Sequence, residues 1–560
     1  MSHISHGQIA PFSAITQDNL NIALPSSPSA PANPAFDYLF QELQNDQNAL
    51  KALLPVTQKT VPNLKRLGRA MCEDNGIQPR HSTIPSLYTY FGQFLDHEIT
   101  FFDAESYEKG RLHNPNLVPL PPEVILTFPN KRTPRLDLDC IYGQSEEENN
   151  QLRDGDRMRL GTVTHVTDRL RPAGKDGDEF DLLRKVSQNP AENRAANIGD
   201  GRNDENLIIA QMHVAFLRAH NTLVEQLGFS YDKANLALRQ HFQWVVLHDF
   251  LKRIANAAIV DRVLNQVLAN DPARFYQPSA GKLFMPLEFS AAAYRFGHSM
   301  VRDAYRLNSL FDPIPLGQLF TRTALKGTLP AGGPAFDTMP ESWIIEWGDF
   351  IDGGQNRARR IGTRLTNHLA KLRDSSGNPL INDAGQPLAD EAMLSVRNLL
   401  RGYLLRIPTG QAVAEKLGMP PMSASQIEKA VGPAQAEILH ETELSTHTPL
   451  WYYILAEVDN QLQGNPDPND PAHSNLTGPD HLGPVGSTIV AEVLIELVRH
   501  SKDSILQQPG WRPSLGKTPG WFTLPDLLKL GGVLSKETLL PIPDIVPLVP
   551  STEWPGPSSQ

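Results

Sequence analysis

A mainly α-helical fold is predicted by three features of this sequence. Residues 205–227, ENLIIAQMHVAFLRAHNTLVEQL, repeat apolar side chains at intervals of three and four before Gly228, the pattern of a helix with a buried face and a C-terminal stop. The same period recurs over 235–258, 392–405 and 490–500. Between the helical stretches run long Pro- and Gly-rich connections, 327–340 and 465–486, which accompany function or decoration more often than a minimal bundle. No internal repeat and no sustained heptad is present.

Taken in order, residues 1–53 are rich in Pro, Ser and Asn (PSSPSAPANP), bury too little apolar surface to fold alone and are expected to form an extended arm on the body. Residues 54–530 form the expected main domain. Residues 531–560 form a tail whose last part, PIPDIVPLVPSTEWPGPSSQ, holds too many prolines for helix or central strand. A chain of 560 residues can bury a cofactor whether it forms one large domain or several smaller ones.

Hydrophobic residues at 40% and charged residues at 20% are ordinary for a globular protein. A net charge of -11 argues against nucleic acid as the main partner, because phosphate binding needs clustered Lys and Arg. Cys72 and Cys140 allow one disulfide at most, and two free buried thiols are the expectation. The N-terminus lacks the basic start and apolar run of a secretory signal. No stretch reaches the roughly 18 apolar residues of a membrane-spanning helix. A cytoplasmic location is the default expectation, with signal-less secretion left open.

Chemistry concentrates in four short stretches. In FGQFLDHEITFF, residues 91–102, the side chains of Gln93, Asp96 and His97 stand at i, i+3 and i+4, so a helix aims all three at one object. A solvated helix with a surface histidine is the bland alternative. His97-Glu98 suggests a zinc protease, but that motif needs a second histidine where Phe101 stands.

In IGDGRNDEN, residues 198–206, Arg202 and Glu205 are again three apart, near the start of the long helix. Helix-dipole compensation accounts for Asp204 and Glu205 there but leaves Arg202 unexplained. In SAAAYRFGHSMV, residues 290–301, His298 follows Arg295 by three among small residues that let a flat ligand approach the backbone. A core histidine satisfied by a carbonyl is the alternative there. In VRNLLRG, Asn398 and Arg401 repeat the spacing. A buried Asn can accept the Nδ1 hydrogen of a metal-bound histidine and so aim Nε2 at the metal.

These stretches, together with TPRLDLDCIYG (133–143), MHVAFLRAHN, IPTGQAVA, TPLWYYIL and GPVGSTIVAEV, resemble the animal-type haem peroxidases of the peroxidase-cyclooxygenase superfamily, and in particular its bacterial branch. The resemblance runs over about residues 79–528, with the motifs in the family's order. It implies a large single-domain, mainly α haem peroxidase fold with haem b held between central helices and long loops. Hydrogen peroxide and small electron donors are the implied partners.

It further implies His97 as the base that carries the peroxide proton, with Arg202 stabilising the departing oxygen and Gln93 bonding water or an anion beside them. His298 would be the axial iron ligand, held by Asn398, and Arg295 and Arg401 would meet the haem propionates. Asp96 and Glu205 match the two carboxylates esterified to haem in several animal members. The methionine of the third link in the most strongly chlorinating member is replaced by Asn206. No sulfonium link is therefore expected, and iodide, thiocyanate, bromide or organic donors are favoured over chloride.

A calcium site is implied as well. Thr133, Arg135, Asp137 and Asp139 fall at every second position, so an extended chain could turn them to one ion, with Arg135 lending its carbonyl. Glu98 would complete the set, in a place where the family usually has Asp. A solvated acidic loop is the alternative.

His213 and His220 lie two turns apart and read as structural, and KDGDEFD, residues 175–181, reads as a solvated turn. Two rival functions remain. One is a fatty-acid dioxygenase of the same superfamily, whose tyrosine three residues before the histidine is replaced here by Arg295, with Tyr294 one position away. The other is a non-catalytic helical scaffold, which the joint presence of His97, Arg202, His298 and Asn398 disfavours.

Overall fold

The Leu207–Leu227 helix organises the molecule: Asn206 caps it by accepting the Ile209 N–H, and Gly228, at φ +65°, ends it in the left-handed region that glycine enters without strain. It is buried on nearly every side, as an all-round apolar helix must be. In this computed structural model the described residues are 8–9, 36–72, 81–102, 112, 114, 116–164, 179–189, 193–278, 283–320, 338–374, 388–462 and 478–534.

The fold is mainly α-helical. The Ser86–Ile99 helix lies along the long helix, and the contact is aromatic. Phe94 stacks on Phe216 with centroids 4.5 Å apart, and Phe91 and Phe94 meet the edge of Phe242 at 5.9 and 6.2 Å. A fully buried side chain of this kind contributes about 1.5–3 kcal/mol. The Leu394–Leu404 helix packs on Thr60–Ala70, and the Leu450–Asn460 helix supports the segment Ala293–Met300.

The helix boundaries differ from expectation where side chains compete for backbone groups. Residues 201–204 form a separate 3₁₀ turn, so the long helix starts two residues later than its periodicity suggests. The expected 235–258 helix is Tyr231–Val245, then a π-helical turn Val246–Phe250, then Leu251–Ile254. The strands pair two by two among the described residues. Gln8–Ile9 pairs parallel with Arg373–Asp374, and Phe36–Asp37 with Met285–Pro286. These two pairings tie described parts of the N-terminal segment to the body, while the remainder of residues 1–35 and the tail from 535 lie outside the described residues.

Both cysteines are free, Cys140 buried and Cys72 half-buried. Among the described residues no helix is long and apolar enough to cross a membrane. Of the 175–181 turn only the end is described, and there Asp181 is buried and paired with Arg184 at 2.7 Å, not solvated.

Candidate active site

Gln93, Asp96, Glu205, Arg295 and His298, drawn from three separate segments, line one cavity. The Ser86–Ile99 helix provides Gln93 and Asp96 on one side. Arg295 and His298 come from Ala293–Met300, which is a 3₁₀ helix and not the α-helix that the spacing implied. At three residues per turn these two positions eclipse, so both side chains leave the same face. The Trp451 Nε1–H donates to the Arg295 carbonyl at 3.1 Å and fixes this turn from behind. A Cβ on Gly297 would meet nothing within 4 Å, which leaves open space beside His298.

The Asn398 amide lies 2.8 Å from His298 Nδ1, and its Oδ1 is a buried atom with no hydrogen-bond partner. Turning the amide brings that oxygen to Nδ1, where it accepts a ring hydrogen and leaves Nε2 as a metal donor. Asn398 and Arg401 share the Leu394–Leu404 helix. Arg401 and Arg397, one turn apart, line a second cavity with Arg202 and Arg295. The two cavities share Arg295 and Leu394. Among the described residues, four guanidinium groups and no carboxylate border the second cavity, so it favours anionic groups. Arg397 carries no motif spacing of its own and is legible only here.

His97 is fully buried, one layer behind the cavity wall. Its Nδ1 lies 2.7 Å from Asn203 Oδ1, so Nδ1 carries the hydrogen and Nε2 presents its lone pair. That Nε2 is 3.7 Å from Glu205 Oε1. Glu205 Oε1 also accepts from Gln93 Nε2, while its Oε2 is buried without a hydrogen-bond partner. Burial pushes the Glu205 carboxyl up to about 8; the negative charges of Asp200 and Asp96 add to this, against the opposing pull of Arg202. Glu205 is thus not a dipole-compensating first-turn residue but the member of the His97–Glu205 pair that meets the cavity.

Arg202 is held on two sides. Its Nε and Nη2 donate to Asp200 at 3.0 and 2.7 Å, and Nη2 also reaches the His97 carbonyl at 2.9 Å. The guanidinium rests 4.3 Å above the Phe101 ring. Burial works against the Asp200 charge, but Arg202, aided by Arg132, outweighs it and holds the carboxyl well below its ordinary range. Asp200 and Asn203 were missed by motif spacing. The signal for both was their place in GDGRNDEN, where a capping Asp and a polar residue beside Arg202 read as ordinary turn chemistry.

Of the proposed calcium residues, Thr133 hydrogen-bonds Asp139, and Asp139 lies close enough to Asp137 and Glu98 that its charge adds to the effect of burial in raising both carboxyls. Faces alternate as expected, with Thr133, Arg135, Asp137 and Asp139 half-buried between buried neighbours, yet the chain bends and Leu138 takes φ +59°. Glu98 spends both oxygens on the backbone N–H groups of Asp139 and Cys140, at 2.8 and 2.9 Å, with Arg132 at 3.8 Å. Asp137 accepts the Lys502 N–H at 2.7 Å. Among the described residues no three His, Cys, Asp or Glu groups are arranged to hold a metal ion. The carboxylates of Glu98 and Asp137 are thus engaged by backbone amides.

His213 and His220 are structural, as expected: Asn203 Nδ2 faces His213 Nδ1 at 3.1 Å, and His220 bridges Tyr142 and the Asp156 carbonyl.

Residues 122–329 match the animal haem peroxidase family, a span that contains Arg202, Glu205, Arg295 and His298. A peroxidase-like protein of Margaritifera margaritifera is 25% identical over 343 residues, 51% of this chain and 41% of that protein. The peroxidasin homolog of Mus musculus is 27% identical over 205 residues, 34% of this chain and 13% of that protein. The chain therefore spans less than half the length of these curated relatives. Peroxidase A of Dictyostelium discoideum has the same fold, with a TM-score of 0.50 over 83% of this chain and 91% of that one, at 17% identity. These matches support the peroxidase superfamily.

Proposed function

We propose that this chain is a haem-dependent peroxidase that reduces hydrogen peroxide and oxidises small donors, either halides and pseudohalides or phenols. The observation that carries the proposal is that two histidine systems meet one cavity. His298, with the Asn398 amide at its Nδ1, lines it directly, and buried His97 reaches it through Glu205, which lines it beside Gln93. A haem bound there supplies the iron that takes up peroxide and the electrons that reduce it.

The residues fit that group. Buried Asn398 Oδ1 and Glu205 Oε2 lack hydrogen-bond partners, the space beside Gly297 is open, and arginines edge the adjoining cavity. His298 would hold the iron, and Arg295 with Arg401 would bind the propionates. His97, its Nδ1 hydrogen held by Asn203, accepts a proton at Nε2 and returns it, a contribution of about 10²- to 10⁴-fold. Before any ester link forms, the Glu205 carboxyl, raised to about 8, passes that proton between His97 and the cavity. Arg202 keeps its charge against developing negative oxygen.

Anionic donors are favoured by the arginine-lined side. An absorption spectrum tests the proposal: a Soret band that shifts on adding peroxide supports it, and a chain that binds no haem refutes it. Rates with iodide, thiocyanate, bromide and phenols then identify the donor.

Two finer points belong to the same proposal. Ester links from Asp96 and Glu205 are favoured by their sharing one cavity wall, and haem extracted intact by acidified solvent after peroxide treatment would rule them out. Calcium at residues 133–139 is proposed on the resemblance alone; haem absorbance indifferent to a strong chelator would count against it. The placement of Tyr294 in the cavity wall favours fatty-acid dioxygenation as a second reading, which oxygen uptake with linoleate and no added peroxide would reveal.

A further inference from the structure

The π-helical turn Val246–Phe250 adjoins the cavity lined by His298 through Phe250. Such turns are costly and concentrate at functional sites. Here the turn places three aromatic or acidic groups in succession. Phe250 faces the cavity. Asp249 accepts the hydroxyl of Tyr88, at 2.9 and 2.8 Å to its two oxygens, and Tyr88 is itself a cavity wall. His248 lies on Trp244, centroids 3.8 Å apart.

Beyond Trp244 stand Trp511 at 6.0 Å and Trp521 at 6.2 Å, both partly exposed. These separations are those of aromatic rings in contact. Asp249 is fixed from other sides by Arg253 Nε at 3.0 Å and the Leu524 N–H at 2.9 Å, so it holds a defined position beneath the Tyr88 hydroxyl. Burial, with Lys252 and Arg512 nearby, keeps the His248 ring neutral, its pKa lowered to about 3, so it adds no charge beside Trp244.

Plain core packing explains apolar rings. It does not call for a cavity-lining phenol bonded to a carboxylate whose chain neighbour, His248, lies on a tryptophan in contact with two partly exposed ones. Electron transfer weakens steeply with distance, so Tyr88, joined to Trp244 through Asp249 and His248, and the contacting Trp rings beyond it can act as stopping points. We propose that Tyr88, Trp244 and the Trp511/Trp521 pair form an electron relay that lets the chain oxidise phenols or aromatic amines too bulky to enter the cavity. This inference rests on the peroxidase reading.

The steps balance. Tyr88 would give one electron to the haem once peroxide has oxidised it, as the Tyr88 hydroxyl hydrogen passes as a proton to Asp249. Trp244 returns an electron to Tyr88, which recovers its proton from Asp249. The electron missing at Trp244 is then supplied through Trp511 or Trp521 by a phenol at the surface, which releases its own proton to solvent.

The test uses holoenzyme, iodide as the small donor and a phenol coupled to dextran as the bulky one. In Trp244→Phe and in the double variant Trp511→Phe/Trp521→Phe, dextran-phenol oxidation should fall at least tenfold while iodide oxidation stays within twofold. Peroxide with a nitroso spin trap, followed by peptide mass spectrometry, should place adducts on Trp511 or Trp521 in the unmodified chain and lose them in Trp244→Phe. Should the buried Trp244 variant fail to fold, the double variant at the partly exposed positions decides. Unchanged dextran-phenol oxidation in the double variant, or iodide turnover without adducts on these tryptophans, overturns the relay alone. Absence of haem or of iodide turnover overturns the peroxidase reading and the relay with it.

Discussion

The Nδ1 of His97 lies 2.7 Å from Oδ1 of Asn203, and the Asn203 amide nitrogen lies 3.1 Å from His213, so one buried amide sets the orientation of two rings. This fixes the His97 tautomer with its lone pair toward Glu205. His97→Ala should lower the rate of reaction with peroxide by about 10²- to 10⁴-fold. Asn203→Ala should cost less than that but more than a surface change, measured by stopped-flow mixing with peroxide. An Asn203→Ala rate equal to that of the unmodified chain would remove the orienting role.

Asp200 is the counter-ion of the buried Arg202. Removing one partner of a buried ion pair leaves the other charge exposed to a low-dielectric interior, a loss of about 3–5 kcal/mol. Asp200→Ala should therefore lower the unfolding free energy obtained from chemical denaturation by about that amount, whereas Arg202→Leu should cost less, because Arg132, 3.6 Å from Asp200, remains to pair with it.

Asn398 acts on His298 through a single contact. Partners that orient a metal-bound histidine are worth about 10- to 100-fold in affinity. Asn398→Ala should weaken haem retention by that factor in a titration. Asn398→Asp should restore retention while lowering the reduction potential, because a carboxylate pushes more electron density through the ring. A potential unchanged in Asn398→Asp would show that the amide does not act through the ring.

Glu205 gives the stability of the haem-free chain a pH dependence with a definite sign. Its carboxyl is raised in the folded state from 4.5 to about 8. Between those values the folded chain binds more protons than the unfolded one, so its stability is full below the lower value and falls as pH rises through the upper one. Glu205→Gln should flatten the thermal-melting profile between about pH 5 and pH 8. A profile identical to that of the unmodified chain would show that Glu205 is not the group responsible.

Gly68 holds two helices close enough to position the Asn398 side. A Cβ there would lie 2.7 Å from Val396 Cγ2 and 2.8 Å from its Cα, so backbone as well as side chain would have to move. Gly68→Ala should destabilise the chain by about 1–3 kcal/mol, as overpacking does. Because Val396 is two residues from Asn398, haem affinity should fall too, read by the same titration.

Helix class, the arm's composition and the four reactive stretches were legible because each is a local pattern. Gln93, Asp96 and His97 follow from one helix turn, and Arg295 with His298 from another. The 3₁₀ form of 293–300 was not legible, since spacing by three satisfies either helix. Asp200 and Asn203 were missed because capping residues look alike whether they end a helix or anchor a guanidinium. The 133–139 loop showed the expected residue types and alternation, while the backbone amides that bond Glu98 are contacts no spacing reveals.

Sequence by itself determined which side chains could be brought to one face, because periodicity fixes the directions of neighbours a few residues apart. Tertiary structure alone decided which faces meet: His97 with Asn203 and Glu205 more than a hundred residues on, and Trp244 with Trp511 at 6.0 Å. The physical reason is that burial, and with it the raised Glu205 carboxyl and the paired Arg202, belongs to the packed molecule as a whole. No single segment excludes water on its own.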